Sequence, residues 1–280
     1  MTAVMSGQRM NIEGNEFYYE EFHHSNTAPT LVLLHGFLSS TFSYRRLIPY
    51  LTASYNVISI DLPPFGQSGK EQRFMYSYEN LAKTVISLLE RLGIRYSVLV
   101  GHSMGGQIAL HMIRQQPELF GSCILLCSSG YAPKVNQGII LSSYIPFFHI
   151  YVKRWLAKTG IEKNLQNVVH NHDLIDQEMV DGYLQPFLKD DIFRGLARFI
   201  RHHKGDLSEA ALKKIKTPCL LIWGEHDKVV PLQTGKRLHE DLPNSKLIVI
   251  EDTGHLLPEE KPKEVFGYMH QFLQETIKNS

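Results

Sequence analysis

The residues best placed to do chemistry lie in Gly101-His102-Ser103-Met104-Gly105-Gly106. A serine flanked by glycines in a G-x-S-x-G pattern is a candidate nucleophile. The run Ser97-Val98-Leu99-Val100 before it reads as a strand, and residues 106–114 after it read as a helix. In a strand–turn–helix setting the serine is held on a sharp, strained turn with its hydroxyl exposed. The flanking glycines suit a backbone that leaves no room for a nearby Cβ. The Met104 N–H then falls at a helix N-terminus, where orphan donors and the helix dipole favour negative charge. A serine hydroxyl is a weak nucleophile at neutral pH; it needs a base, and the base needs an orienting acid. With 14 His in the chain, the base has to be chosen by position. In this arrangement the order is serine, acid, histidine, each on a loop after a later strand. Asp227, in Gly224-Glu225-His226-Asp227-Lys228, follows the apolar run 219–223. His255, in Asp252-Thr253-Gly254-His255, follows the run 246–250. Glu225 and Asp252 compete with Asp227 for the acid role.

Such residues need a frame to hold them. Short apolar runs at 30–34, 55–60, 97–100, 122–126, 219–223 and 246–250 are rich in Val, Ile and Leu and bounded by turn residues. Strands buried on both faces of a parallel sheet read this way. Residues 78–92 and 263–277 carry apolar residues at spacings of three and four, the period of a helix. Strands alternating with helices predict right-handed crossovers and an α/β fold. Residues 11–22 alternate more and predict an antiparallel hairpin at the sheet edge. The alternation stops after Ala132. Residues 133–200 contain no clear strand and many aromatics, among them Tyr144, Phe147, Phe148, Tyr151 and Trp155. This stretch reads as a helical cap set into a core formed by residues 1–132 and 201–280. Its aromatics, with Ile139 and Ile140, are expected to line an apolar pocket above Ser103 or to form the cap's own core. Arg154 and Lys158 share a helical face and are expected to solvate the cap.

Composition narrows the function. The 280 residues include 29 Lys+Arg against 28 Asp+Glu, a formal charge of +1. A nucleic-acid module needs a basic face, so that class is disfavoured. The 3 Cys are too few for a disulfide framework, and their apolar settings predict buried thiols. The N-terminal MTAVMSGQRMN has no apolar core of a signal peptide, and no run approaches the ~20 apolar residues of a membrane span. The expectation is a cytoplasmic protein without a membrane partner, monomeric or homodimeric. His170-x-His172 and His202-His203 invite a metal reading, but His pairs without a fixed Cys or carboxylate pattern are usually solvated surface, so no metal is expected. Asp61, with Gly66 and Gly69, is expected to fix a loop beneath the cap.

Over residues 15–277 the chain resembles α/β-hydrolase-fold serine hydrolases of carboxylesterase type. Five pieces carry the resemblance in order: Leu34-His35-Gly36-Phe37, Asp61-Leu62-Pro63-Pro64-Phe65-Gly66-Gln67-Ser68-Gly69, the Ser103 turn, the Asp227 loop and the His255 loop. The resemblance implies a mostly parallel eight-stranded sheet with helices on both faces and a helical cap. It implies Ser103 as nucleophile, His255 as base and then acid, and Asp227 as its orienting partner. It also implies an oxyanion hole from the N–H groups of Phe37 and Met104, and substrate contacts from Phe37, Leu38, His102 and Leu256. No cofactor is implied. The fold hosts many reactions and cannot choose between them. Related dehalogenases and epoxide hydrolases use Asp where Ser103 stands. The carbon–carbon hydrolases usually have a different His-Gly loop and an aromatic after the His, where this chain has Leu256-Leu257. The menaquinone-pathway lyase has Arg where this chain has Gln107. The expected activity is hydrolysis of small to medium, largely apolar carboxylic esters. The alternatives are carbon–carbon hydrolysis, that lyase reaction, or a non-catalytic small-molecule receptor.

Overall fold

Each of the six apolar runs contributes a strand to one sheet. The computed structural model describes residues 7–145 and 147–277, the side chains of 152, 155–159 and 277 excepted. Residues 1–6 of the N-terminal stretch and the side chains of Trp155 and Lys158 therefore lie outside what is described. The strands are β1 (Gln8–Ile12), β2 (Asn15–Phe22), β3 (Thr30–Leu34), β4 (Asn56–Ile60), β5 (Ser97–His102), β6 (Phe120–Leu126), β7 (Cys219–Gly224) and β8 (Ser245–Ile250). They run in the order β1-β2-β4-β3-β5-β6-β7-β8. β3 to β8 pair in parallel, and the β1–β2 hairpin joins β4 antiparallel at one edge. The hairpin starts three residues earlier than the alternation suggests, because only Met10 and Ile12 of β1 are apolar and the strand begins on polar Gln8 and Arg9.

Burial follows position in the sheet. β5 and β7 are buried along their whole length, as two covered faces require. β8 has the same apolar look but forms the opposite edge, and only Ile250 within it is buried. Cys123 and Cys219 face each other in register across β6 and β7 as free thiols, and Cys127 is free and buried just past β6. Burial holds the Cys127 thiol well above the ordinary range, and a hydrogen bond with Cys219, reinforced by burial, does the same for Cys123. Thiolate is the reactive form. The native protein is therefore expected to give no fast reaction with Ellman's reagent, and all 3 thiols to react in denaturant. Reaction of the native thiols within minutes would contradict this burial.

Between β6 and β7, adjacent in the sheet, the described residues hold helices but no strand: Gln137–Ser142, Phe148–Thr159, Ile161–Val168, Gln177–Leu184 and Asp191–His202. The last ends two residues beyond position 200. It is strongly amphipathic and buries Ile192, Phe193, Leu196 and Phe199 in the main core. Leu165, Val169, Met179 and Tyr183 form a smaller core with Leu256. The first two helices differ. Leu141, Tyr144, Ile145, Phe147 and Tyr151 are 61–71% exposed, and Ile139 is 49% exposed. Tyr144, Phe147, Tyr151 and Ile139 thus do not fill a core, whereas Tyr183, Phe193 and Phe199 of the same stretch do. A helix seated along one stripe leaves its other apolar residues bare, and helical spacing alone does not say which stripe is covered. This segment is held by Arg201, whose Nε donates to Ser143 Oγ at 2.8 Å and whose guanidinium lies 4.1 Å from the Tyr144 ring centroid. Arg154 is exposed, as expected.

Candidate active site

Ser103 occupies the turn between β5 and the helix Met104–Gln115. Its backbone lies at φ 51° and ψ −117°, outside the conformations that side-chain-bearing residues favour. The surroundings fix it there. Ser103 N–H donates to Leu126 O at 3.0 Å, and Ser103 O accepts from Ser129 N–H and Gly106 N–H, each at 3.0 Å. The glycines are needed for close approach. A Cβ at Gly105 would stand 2.0 Å from Leu34 O, and one at Gly101 would stand 2.6 Å from the backbone of Gly105. Met104 is the first residue of the helix, so its N–H is one of the unpaired amides of that end.

The Asp227 and His255 loops meet. His255 Nδ1 and Asp227 Oδ2 are 2.7 Å apart, and both side chains are buried. Asp227 Oδ1 accepts from Val229 N–H at 2.8 Å and Val230 N–H at 2.9 Å. Burial opposes ionisation of this carboxyl; the His255 hydrogen bond and charge, with the Val230 amide, outweigh it, and Asp227 lies below the ordinary carboxylate range. Of the three candidate acids, Asp227 is the one whose carboxylate meets His255. Glu225 and Asp252 instead flank His226, at 3.5 Å and 4.0 Å from its Nε2.

His102 links Ser103 to the His255 loop. Its ring centroid lies 4.7 Å from that of His255, and its Nε2–H donates to His255 O at 2.8 Å. Burial and the neighbouring His255 push its pKa down to about 3, so it is a neutral spacer at pH 7. His35 is neutral too, its pKa lowered to about 4 by burial. Its Nδ1–H donates to Gly36 O at 2.7 Å, which leaves Nε2 to accept Leu62 N–H at 2.8 Å. A Cβ added to Gly36 would stand 3.2 Å from Ser103 Cβ, so this loop lies against the turn. Phe37 is 46% exposed and its ring meets Phe65 at 5.3 Å and Phe199 at 5.5 Å. Leu38, at φ 57°, packs on the main core. Leu256 is buried in the small helical core. Asp61 does fix its loop: its carboxylate accepts Thr41 N–H at 2.7 Å and Gln67 N–H at 2.6 Å.

Two features escaped sequence reasoning. Cys127, at φ 44°, comes within 4.8 Å of ligand atoms of both Asp227 and His255. Its place just past β6, next to the strand that bears the serine turn, was the available signal. Gln107 joins distant backbone: its Nε2 donates to Ser129 O at 2.7 Å, and its Oε1 accepts Leu207 N–H at 3.0 Å.

A sequence profile of the alpha/beta hydrolase fold matches residues 29–262. The chain belongs to the α/β-hydrolase fold family. It is 52% identical over 274 residues to the uncharacterized hydrolase YugF of Bacillus subtilis (strain 168), covering 98% of this chain and 100% of that one. It is 29% identical over 246 residues to the 2-hydroxy-6-oxo-6-phenylhexa-2,4-dienoate hydrolase of Comamonas testosteroni, covering 83% and 82%. Among solved structures, a membrane phospholipase A described as a bacterial virulence factor superposes with a TM-score of 0.80 at 25% identity, covering 98% of this chain and 87% of that one. Membership and the B. subtilis relative's name make this α/β-hydrolase a hydrolase; the bond it cuts is a further question. No described helix is long and apolar enough to cross a membrane.

Proposed function

We propose that this α/β-hydrolase cleaves small to medium, largely apolar carboxylic esters through an acyl intermediate on Ser103. The observation that carries this reading is the buried 2.7 Å His255–Asp227 hydrogen bond, joined through His102 to a serine held in a strained turn. Ser103 Oγ attacks the acyl carbon and passes its proton to His255. Asp227 holds the Nδ1–H tautomer and stabilises the imidazolium that forms. The Phe37 and Met104 amides receive the oxyanion, and each such donor is worth about 3–4 kcal/mol. His255 then protonates the leaving alcohol, and later takes a proton from the water that releases the acid. Apolar substrates are favoured because Phe37, on the loop that lies against the Ser103 turn, packs with the Phe65 and Phe199 rings. The helical stretch 133–200 acts as the cap of this site, with Leu38, His102 and Leu256 shaping its wall.

Carbon–carbon hydrolysis is the second reading, favoured by the 29% identity to the C. testosteroni enzyme. A p-nitrophenyl ester series from acetate to hexanoate, run beside 2-hydroxy-6-oxo-6-phenylhexa-2,4-dienoate, separates the two. The expected result is a higher kcat/KM for an ester of the series. Faster turnover of the dienoate would replace the proposal with the second reading. Binding without turnover of either would support a receptor.

A further inference from the structure

Outside the Ser103 site, one cluster brings together side chains far apart in sequence. His170, His226 and Asp252 each offer a ligand atom, all within 4.8 Å of one another, and all three are exposed. The His170 and His226 rings stack at 4.2 Å between centroids. His226 Nε2 lies 4.0 Å from Asp252 Oδ1, with Glu225 Oε2 at 3.5 Å as a further carboxylate. From spacing, His170 and His172 read as a solvated surface pair with no metal expected. In the fold His172 turns away, its Nε2 lying 2.9 Å from Gln166 O.

The seats of these residues are fixed by backbone. His170 N–H and Asn171 N–H donate to Glu260 Oε2 at 2.8 and 3.2 Å, and Gly254 N–H donates to Glu260 Oε1 at 2.9 Å. His226 N–H donates to Thr253 O at 2.9 Å. Only the side chains need adjust to converge on one ion. Two imidazoles and a carboxylate, with water filling the open position, are a donor set for Zn²⁺, Co²⁺ or Ni²⁺ rather than for Mg²⁺ or Ca²⁺.

We propose that His170, His226 and Asp252 form a binding site for a divalent transition-metal ion, which ties the segment after helix Ile161–Val168 to the loops bearing Asp227 and His255. The site is separate from the ester chemistry and is tested without it.

Chelator-treated protein is titrated with ZnCl₂ by calorimetry, and with CoCl₂ while its visible d–d absorption is followed. The expected result is one Zn²⁺ per chain, and a Co²⁺ spectrum of four- or five-coordinate type. Loss of an outer-shell partner weakens a metal site about 10–100-fold, so His170→Ala and Asp252→Asn, which remove direct ligands, are each expected to raise Kd at least about 10-fold. His172→Ala is expected to bind as the wild type does. Circular dichroism melts of the metal-free variants confirm that each is folded. Binding no tighter than about 1 mM in the wild type would overturn the proposal. So would wild-type affinity in both His170→Ala and Asp252→Asn, or equal loss in His172→Ala.

Discussion

Ser103→Ala is expected to lower kcat on the preferred p-nitrophenyl ester on the order of 10⁵–10⁶-fold, about 7–8 kcal/mol of barrier. The size follows from the way the three groups act together. With the hydroxyl gone, His255 and Asp227 keep their 2.7 Å hydrogen bond but have no proton to take. What survives is whatever the Phe37 and Met104 amides and the apolar wall do for attack by water. A fluorophosphonate should label the wild type and leave Ser103→Ala unlabelled. Comparable labelling of both, or a kcat loss below about 100-fold, would remove Ser103 from the nucleophile's role. A companion substitution separates chemistry from strain. At φ 51° a serine carries backbone strain of about 1–3 kcal/mol that a glycine does not feel. Ser103→Gly should therefore be as inactive as Ser103→Ala but melt at a higher temperature than the wild type. A drop in melting temperature would mean that the turn is not strained.

Gly105→Ala is the second large effect, and it falls on stability. The new Cβ would stand 2.0 Å from Leu34 O and 2.7 Å from His35 O, both backbone atoms of the strand end that carries the His-Gly loop. A flexible side chain moves aside; a strand carbonyl in the middle of a sheet does not. Overpacking of a rigid site typically costs 1–3 kcal/mol, and this contact belongs at or above about 3 kcal/mol. The measurement is the urea midpoint at unchanged m-value. Gly267→Ala is the control, because its Cβ meets nothing within 4 Å on an exposed position of the helix Pro262–Ile277. There alanine's helix propensity should add about 0.5–1 kcal/mol of stability. A Gly105→Ala midpoint within error of the wild type would show that Leu34 yields, and that the serine turn is held less tightly than its contacts imply.

The parts legible in sequence are those where burial dictates residue type. β3, β5, β6 and β7 are covered on both faces, so their runs of Val, Ile and Leu announced them. The serine turn was legible because close backbone approach admits only glycine at Gly101 and Gly105. Asp227 and His255 were legible because they follow successive strands, and the family resemblance paired them, with Glu225 and Asp252 as competitors; the 2.7 Å hydrogen bond joins that pair. Contacts made through the helical insertion were beyond reach. Helical period marks Tyr151 as an apolar residue on a helix and Phe147 as apolar beside its start, but not that they face solvent. Nothing in the spacing of His170 and His226 predicts a shared stack, because that depends on where the insertion lands.

Val168 gives the insertion a structural role of its own. Its carbonyl, at the end of helix Ile161–Val168, accepts both His255 N–H at 2.7 Å and Leu256 N–H at 3.3 Å. The loop that holds the proposed base is thus completed by a segment that arrives from elsewhere in the chain. An engineer who grafts a relative's insertion onto this sheet to change substrate range would also be replacing a hydrogen-bond acceptor for His255. A chimaera joined at 133 and 200 should keep its rate only if the donor supplies a carbonyl at the same point. Junctions that retain residues 165–171 are the ones to build first.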